Sequence, residues 1–417
     1  MINWLLKEFF KKQGGHIFYA TILGRLFSFL ASWVALQLIP NFDLGLVIFA
    51  QNIIALIIPI GGFGATQGLL RYGSLAKTKK YKDTLFLYTI KKGGTYSFLI
   101  ILILIALSPL LSYSLPAAQN YIIAISFQIF SLFLLETLKT YYRIIHKNKI
   151  FAHIEIVYNI LLLILVFIGS SLFNSYGYIL AMILTPLIVF IFYYKKTSIL
   201  FIKKSQLQIA KREFWSYSFY AGLSNVTSQL LIVLDIVLIG VILNDPVKVT
   251  LYKYLSLIPF SLIFLPRVLL LTDFVTLTQR SLDKTFIYNY IKSYTLLFTI
   301  ISVTFILIGW IFKTFILMFF GSDFIPYEST FMTLLLGITS ILILRGLFGN
   351  LLSVIGKAHV NFWISIIGIF FNLIANYILI PIYGILGAAI TSAITMWLTS
   401  IITSITFFIL YNKKNEN

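Results

Sequence analysis

Three arginines stand inside runs of otherwise apolar residues. They are Arg25 in HIFYATILGRLFSFLASWVALQLIP, Arg267 in IFLPRVLLL and Arg345 in LGITSILILRGLFG. A guanidinium is always charged and holds five N–H donors in a planar fork that matches phosphate or carboxylate oxygens. At the centre of a membrane span it costs roughly 2.5–3.5 kcal/mol on insertion scales. An anionic ligand is a physical reason to keep such a group, and Lys253 adds a fourth cation of the same kind. Uncharged hydrogen-bonding side chains recur in the same runs: Gln51 and Asn52, then Ser224, Asn225 and Gln229 in YSFYAGLSNVTSQLLIVLDIVLIG. Such side chains within a span either bond between helices or face a polar cavity. Asp235 is the one acid read at comparable depth, which makes it a candidate for coupling or gating. Three deep arginines against one aspartate predict a net-positive interior, suited to a ligand with an anionic head and lipid tails.

Other chemistries have little to work with. The chain has no cysteine, so thiolate and disulfide chemistry are excluded. Its four histidines, His16, His146, His153 and His359, lack metal-ligand spacing, so no metal site is expected. There is no P-loop and no paired carboxylate within an apolar run, and no cofactor is expected. This reads as a chain without a catalytic site.

The elements that position these groups are membrane helices. The 417 residues are 59% hydrophobic and 11% charged, with a mean hydropathy of +0.96. A span needs about 20 apolar residues. Twelve such runs are expected, near 16–38, 44–69, 94–113, 120–138, 153–173, 177–194, 217–243, 250–271, 293–316, 328–354, 361–380 and 385–410. The runs are continuous rather than alternating, which argues against a barrel. At 100° per residue, Thr21, Arg25, Ser28 and Ser32 share one narrow arc of the first helix. Ser224, Asn225, Ser228, Gln229 and Asp235 share a broader arc of the seventh. The fold class is therefore an all-α polytopic membrane protein, divided six plus six by the longest gap, at about 195–216.

Charge sets the expected orientation. Of the 32 lysines and arginines, 26 fall at the termini and in the gaps after even-numbered spans, and three at or near the other gaps. By the positive-inside rule both termini are cytoplasmic. The net charge of +19 is largely this topogenic charge, and no nucleic-acid partner follows from it. Residues 1–15 are expected as a cytoplasmic or interfacial segment and 16–194 as the N-terminal six-helix lobe. A basic linker covers 195–216, the C-terminal lobe 217–410 and a cytoplasmic tail 411–417. Prolines deep in the second helix of each half, in LIIPIGG and IFLPRVL, hint at a repeat about an axis along the membrane normal.

Four stretches resemble the polysaccharide transporter branch of the multidrug/oligosaccharidyl-lipid/polysaccharide (MOP) exporter superfamily, which includes O-antigen flippases. They are GRLFSFLASWVALQLIPNFDLGLVIFAQNI, GGFGATQGLLRYGSLAK, SNVTSQLLIVLDIVLIGVIL, and FGSDFIPYESTFMTLLLGI followed by LLSVIGKAHVNFWISIIGIFFNLIANYILIPIYGILGAAITSAI. The segment NDPVKVTLYKY departs from the pattern by lacking a glycine the family often has before its tyrosine. The resemblance implies two lobes forming a V-shaped cavity lined by helices 1, 2, 7 and 8. It implies transfer of an undecaprenyl-pyrophosphate-linked oligosaccharide from the cytoplasmic to the outer leaflet of the bacterial inner membrane. Arg25, Arg267, Arg345 and Lys253 would then hold pyrophosphate, and Gln51, Asn52, Ser224, Asn225 and Gln229 the glycan. The implied partners are the lipid-linked glycan, the phospholipid bilayer and polysaccharide polymerase machinery. The coupling ion, Na⁺ or H⁺, is left open. Two rivals are a cation-coupled multidrug exporter of the same superfamily and a membrane polysaccharide polymerase or ligase. The first wants an acidic cavity. The second wants a large outer loop with acidic or histidine catalytic groups.

Overall fold

The computed structural model describes residues 14–197 and 211–414, apart from certain side chains within them. Nearly all of the expected interfacial segment 1–15, the centre of the basic linker 195–216 and residues 415–417 of the tail lie outside the described residues. Every regular element among those described is helical. Helix α1 is Gly14–Leu38, α2 Asn41–Ile57, α3 Ala65–Leu75 and α4 Lys79–Leu111. Then come α5 (Gln119–Ser126), α6 (Gln128–Ile144), α7 (Asn148–Lys195) and α8 (Lys211–Leu243). Next are α9 (Pro246–Ser261), α10 (Phe264–Gln279), α11 (Lys284–Met318) and α12 (Glu328–Ser340). The last three are α13 (Gly346–Val354), α14 (Ala358–Tyr383) and α15 (Ile385–Lys414).

Nine helical runs among the described residues are long and apolar enough to cross a membrane. One of them counts twice. A straight helix as long as α7 would reach about 72 Å at 1.5 Å per residue, against about 30 Å of hydrocarbon. Instead it turns back at Phe173 and Asn174, whose backbones leave the helical region. The Gly169 and Gly177 backbones then touch so closely that neither position has room for a Cβ. The shorter apolar stretches Ile22–Leu38 in α1 and Val233–Leu243 in α8 complete the expected twelve spans.

Two spans are broken rather than continuous. The second is α2 and α3 joined by a 3-10 stretch, Ile58–Gly64, in which Gly62, Phe63 and Gly64 have positive φ. The eighth is interrupted between α9 and α10. Each break carries proline, Pro59 in one case, Pro259 and Pro266 in the other. Proline removes a backbone donor and clashes with the preceding turn, so the helix cannot run through.

The halves repeat in local structure as well. The third helix of each is capped by a side chain that accepts a bond from a backbone N–H three residues on: Thr78 from Tyr81 (3.4 Å) and Asp283 from Phe286 (2.9 Å). The Phe286 amide, with Arg280 at 2.6 Å, holds the Asp283 carboxyl below its ordinary range. Left-handed residues follow at His146 and Gly356, then at Asn174 and Gly384. Both pairs are separated by the same 210 positions. Asn174 (φ 48°, ψ −129°) and Gly384 (φ 60°, ψ −136°) make nearly the same turn. That conformation suits glycine and strains asparagine. Asn174→Gly is therefore expected to stabilise the detergent-purified protein by about 1 kcal/mol, read as a higher thermal midpoint in tryptophan fluorescence.

By packing, the chain forms two compact units, Ile22–Thr250 and the chain from Leu251 onward. In the first, α8 lies against α2, the 3-10 break and α3. Glycines permit this approach: a Cβ on Gly64 would sit on the Ser218 carbonyl, and one on Gly68 on the Ser218 hydroxyl. An aromatic core lies beneath, with Phe86, Phe133, Tyr141 and Phe214 buried together. In the second unit, α15 packs along α12, α13 and α14.

Candidate functional site

In the second unit, two of the predicted arginines occupy adjoining turns. Arg267 opens α10, one residue after Pro266. Arg345 closes a π turn, Ile341–Arg345, between α12 and α13. A Cβ on Gly346 would lie 3.0 Å from the Pro266 Cβ, so the backbones meet beside both arginines. The Tyr294 hydroxyl of α11 donates to the Leu342 carbonyl at 3.0 Å and so satisfies a carbonyl of the π turn. π turns concentrate at functional sites. Nothing in the sequence announces this one.

Arg345 does not reach for the membrane surface, as its place near a span end would allow. Its Nη2 donates to the Ser365 hydroxyl at 2.9 Å, and its buried Nη1 has no hydrogen-bond partner. Arg267 is exposed. Neither is paired with a carboxylate among the described residues. Lys253, on α9, is half-buried.

In the first unit, Arg25 and Ser28 are exposed on one side of α1. The next polar position of that arc, Ser32, is half-buried and hydrogen-bonded with Tyr178 of α7. The adjoining side of α1, with Gly24, Ala31 and Ala35, is buried. The predicted polar arc is therefore partly presented and partly packed.

Gln51 is half-buried on α2. Asn52 is buried and donates to the Ile48 carbonyl of its own helix at 2.7 Å, a packing arrangement. On α8, Asn225 is exposed, Gln229 half-buried and Asp235 buried. The Ser224 and Ser228 side chains lie outside the described residues. Since α8 packs on α2, one unit carries Gln51, Asn225 and Gln229 together.

The acids behave differently from the arginines. Asp235 is 2% exposed and Asp273 5%. Asp273 on α10 accepts a bond from the Tyr290 hydroxyl at 3.0 Å. Sequence reasoning missed it because the apolar run ends near residue 271, whereas α10 continues to Gln279. Another buried acid, Asp83, accepts from the Tyr141 hydroxyl at 2.6 Å. No group of three or more histidines, aspartates or glutamates that could hold a metal ion is found among the described residues.

No protein-family model matches the sequence, and no curated protein matches it either. Solved structures do share its fold. The chain is similar to the lipid II flippase MurJ in an inward closed conformation, with a TM-score of 0.72 and 16% identity over 95% of this chain and 92% of that one. It is also similar to a multidrug resistance MATE family transporter of the MOP superfamily in an inward-facing conformation, with a TM-score of 0.70 and 13% identity over 94% and 96%. A third is the Vibrio cholerae MATE transporter VcmN, with a TM-score of 0.67 and 19% identity over 99% and 98%. At these identities the likeness is one of fold. The chain is a multi-pass membrane protein with the fold of MOP superfamily transporters, in about twelve helices.

Proposed function

We propose that this protein is a flippase that carries an undecaprenyl-pyrophosphate-linked oligosaccharide from the cytoplasmic to the outer leaflet of the bacterial inner membrane. One observation carries the reading. Within the spans, Arg25 and Arg267 are exposed, whereas Asp235 is buried, as is Asp273 just beyond the end of its span. What the helices present to a ligand is cationic. A cationic drug would meet like charge there, and a diphosphate would meet bidentate donors. Gln51, Asn225 and Gln229 supply hydrogen bonds for sugar hydroxyls, Lys253 and Arg345 reinforce the positive field, and Asp235 is assigned to coupling or gating. Asn52 contributes to this set by fixing α2. The domain division proposed with this reading is six helices on either side of the 195–216 linker.

Direction follows from charge. With the cytoplasm negative, moving an anion outward gains roughly 2.3 kcal/mol per elementary charge per 100 mV. The multidrug exporter keeps a place because two of the fold relatives above are MATE transporters.

The test is complementation of a flippase-null bacterial strain at matched membrane levels, with lipid-linked repeat units followed on each leaflet. Wild type should restore surface polysaccharide. Arg25→Ala should leave the units on the inner leaflet, and Arg25→Lys should rescue in part. Drug resistance conferred by wild type, with no effect on the lipid-linked units, would overturn the reading.

A further inference from the structure

A cavity of about 430 Å³ opens at one end of the first unit, where the N-terminus of α4, the C-terminus of α6 and both termini of the α7 hairpin converge. It is separate from the arginines and polar residues assigned above. Its size falls within the range of about 300–1,000 Å³ typical of small-molecule sites. Four lysines line it: Lys79, Lys147, Lys149 and Lys196. All four are exposed, and none is paired with a carboxylate among the described residues. No acid lines the cavity.

The floor is built to hold its shape. The Tyr142 hydroxyl donates to the Tyr193 carbonyl at 3.2 Å, and His153 is hydrogen-bonded to the Tyr193 hydroxyl. Tyr141 is tied to Asp83, so the nearest buried carboxylate is already occupied. Lys196 leans over the Phe192 ring at 4.1 Å, which holds its ammonium at the rim.

The internal repeat supplies a control within the same molecule. Shifted by 210 positions, Tyr141, Tyr142, Lys196 and Thr197 become Leu351, Leu352, Thr406 and Phe407. Phe407 is fully buried there, stacked on Tyr411 at 5.2 Å and packed against Phe348. The same place is thus packed with aromatics in one half and left open in the other. A purely structural role would not require the difference. Nor does topogenic charge require a cavity, since lysines on any loop serve that purpose.

We propose that this cavity binds the phosphate headgroup of an anionic lipid of the inner leaflet. Its mouth lies among helix ends that the positive-inside pattern places at the cytoplasmic face, where headgroup phosphates sit. Four lysines without carboxylate partners would more than neutralise a doubly charged diphosphatidyl headgroup, their ammonium groups supplying the donors for its oxygens. Apolar walls at Ile145 and Ile150 suit the glycerol backbone.

The experiment counts lipids retained by the full-length detergent-purified protein in native mass spectrometry. Cardiolipin, phosphatidylglycerol, phosphatidylcholine and inorganic pyrophosphate are titrated separately. Two charge-matched variants are compared: Lys79→Gln/Lys147→Gln at the cavity, and Lys284→Gln/Lys357→Gln in the other half, where Lys284 opens its third helix as Lys79 does and Lys357 lies 210 positions after Lys147. All four side chains are exposed, so both variants should fold. Cardiolipin should bind wild type in preference to phosphatidylcholine. The cavity pair should weaken it roughly thirty-fold, at about a factor of five per lysine near an anionic surface. The control pair should leave it nearly unchanged. Equal losses in both variants, or none in either, would overturn the site. Retention of pyrophosphate without retention of anionic lipid would overturn the lipid assignment.

Discussion

Arg345→Met is expected to leave the protein as stable as wild type and to reduce flipping by roughly 10- to 150-fold, since a hydrogen bond to a charged group contributes about 1.5–3 kcal/mol. The two halves of this result rest on different observations. Arg345 is half-buried, holds one hydrogen bond to Ser365 and leaves its buried Nη1 without a partner. A buried charge so poorly compensated contributes little to folding, and an apolar residue of similar length is commonly neutral or stabilising in its place. The same lack of partners leaves an uncompensated positive charge beside the exposed Arg267, which an anionic ligand would balance. Arg267, on the adjoining turn, should behave in parallel, and the double variant should lose less than the sum of the singles if both grip one diphosphate. Thermal unfolding in detergent and leaflet-resolved transport provide the two readouts. Lost stability with transport intact would make Arg345 a packing residue.

Gly64→Ala should destabilise the first unit by about 2–5 kcal/mol, from a left-handed alanine at about 1–2 kcal/mol and overpacking at about 1–3 kcal/mol. Gly64 has φ 71° and lies where α8 crosses the broken second span. An added Cβ would collide with the Ser218 carbonyl, and backbone can yield only if α8 shifts as a whole. Gly356→Ala serves as the control. Its φ is 81°, yet no atom lies within 4 Å of the added Cβ, so only the conformational cost of about 1–2 kcal/mol applies. The difference between the variants in thermal midpoint measures the close approach alone. Equal shifts would show that α8 does not press on the break.

The sequence by itself determined that this is a polytopic helical membrane protein of twelve spans. Continuous apolar runs can satisfy their backbone in lipid only as helices. It also determined the boundary between the fifth and sixth spans, because no membrane accommodates one straight helix from Asn148 to Lys195. The arginines were legible for a similar reason, since a charge within an apolar run is conspicuous at any spacing. The tertiary structure decided which polar residues are presented and which are packed. Asn52 and Asn225 look alike in sequence, yet one bonds its own helix and the other is exposed. That outcome depends on which helix covers each face, and helical periodicity gives a face without giving its neighbour. The π turn at Arg345, the acid at Asp273 and the basic cavity under the α7 hairpin are of the same kind. Each depends on contacts between separate helices. Only the packing of α10 with α13, of α11 beside them, and of α4, α6 and α7 at their ends brings those residues together.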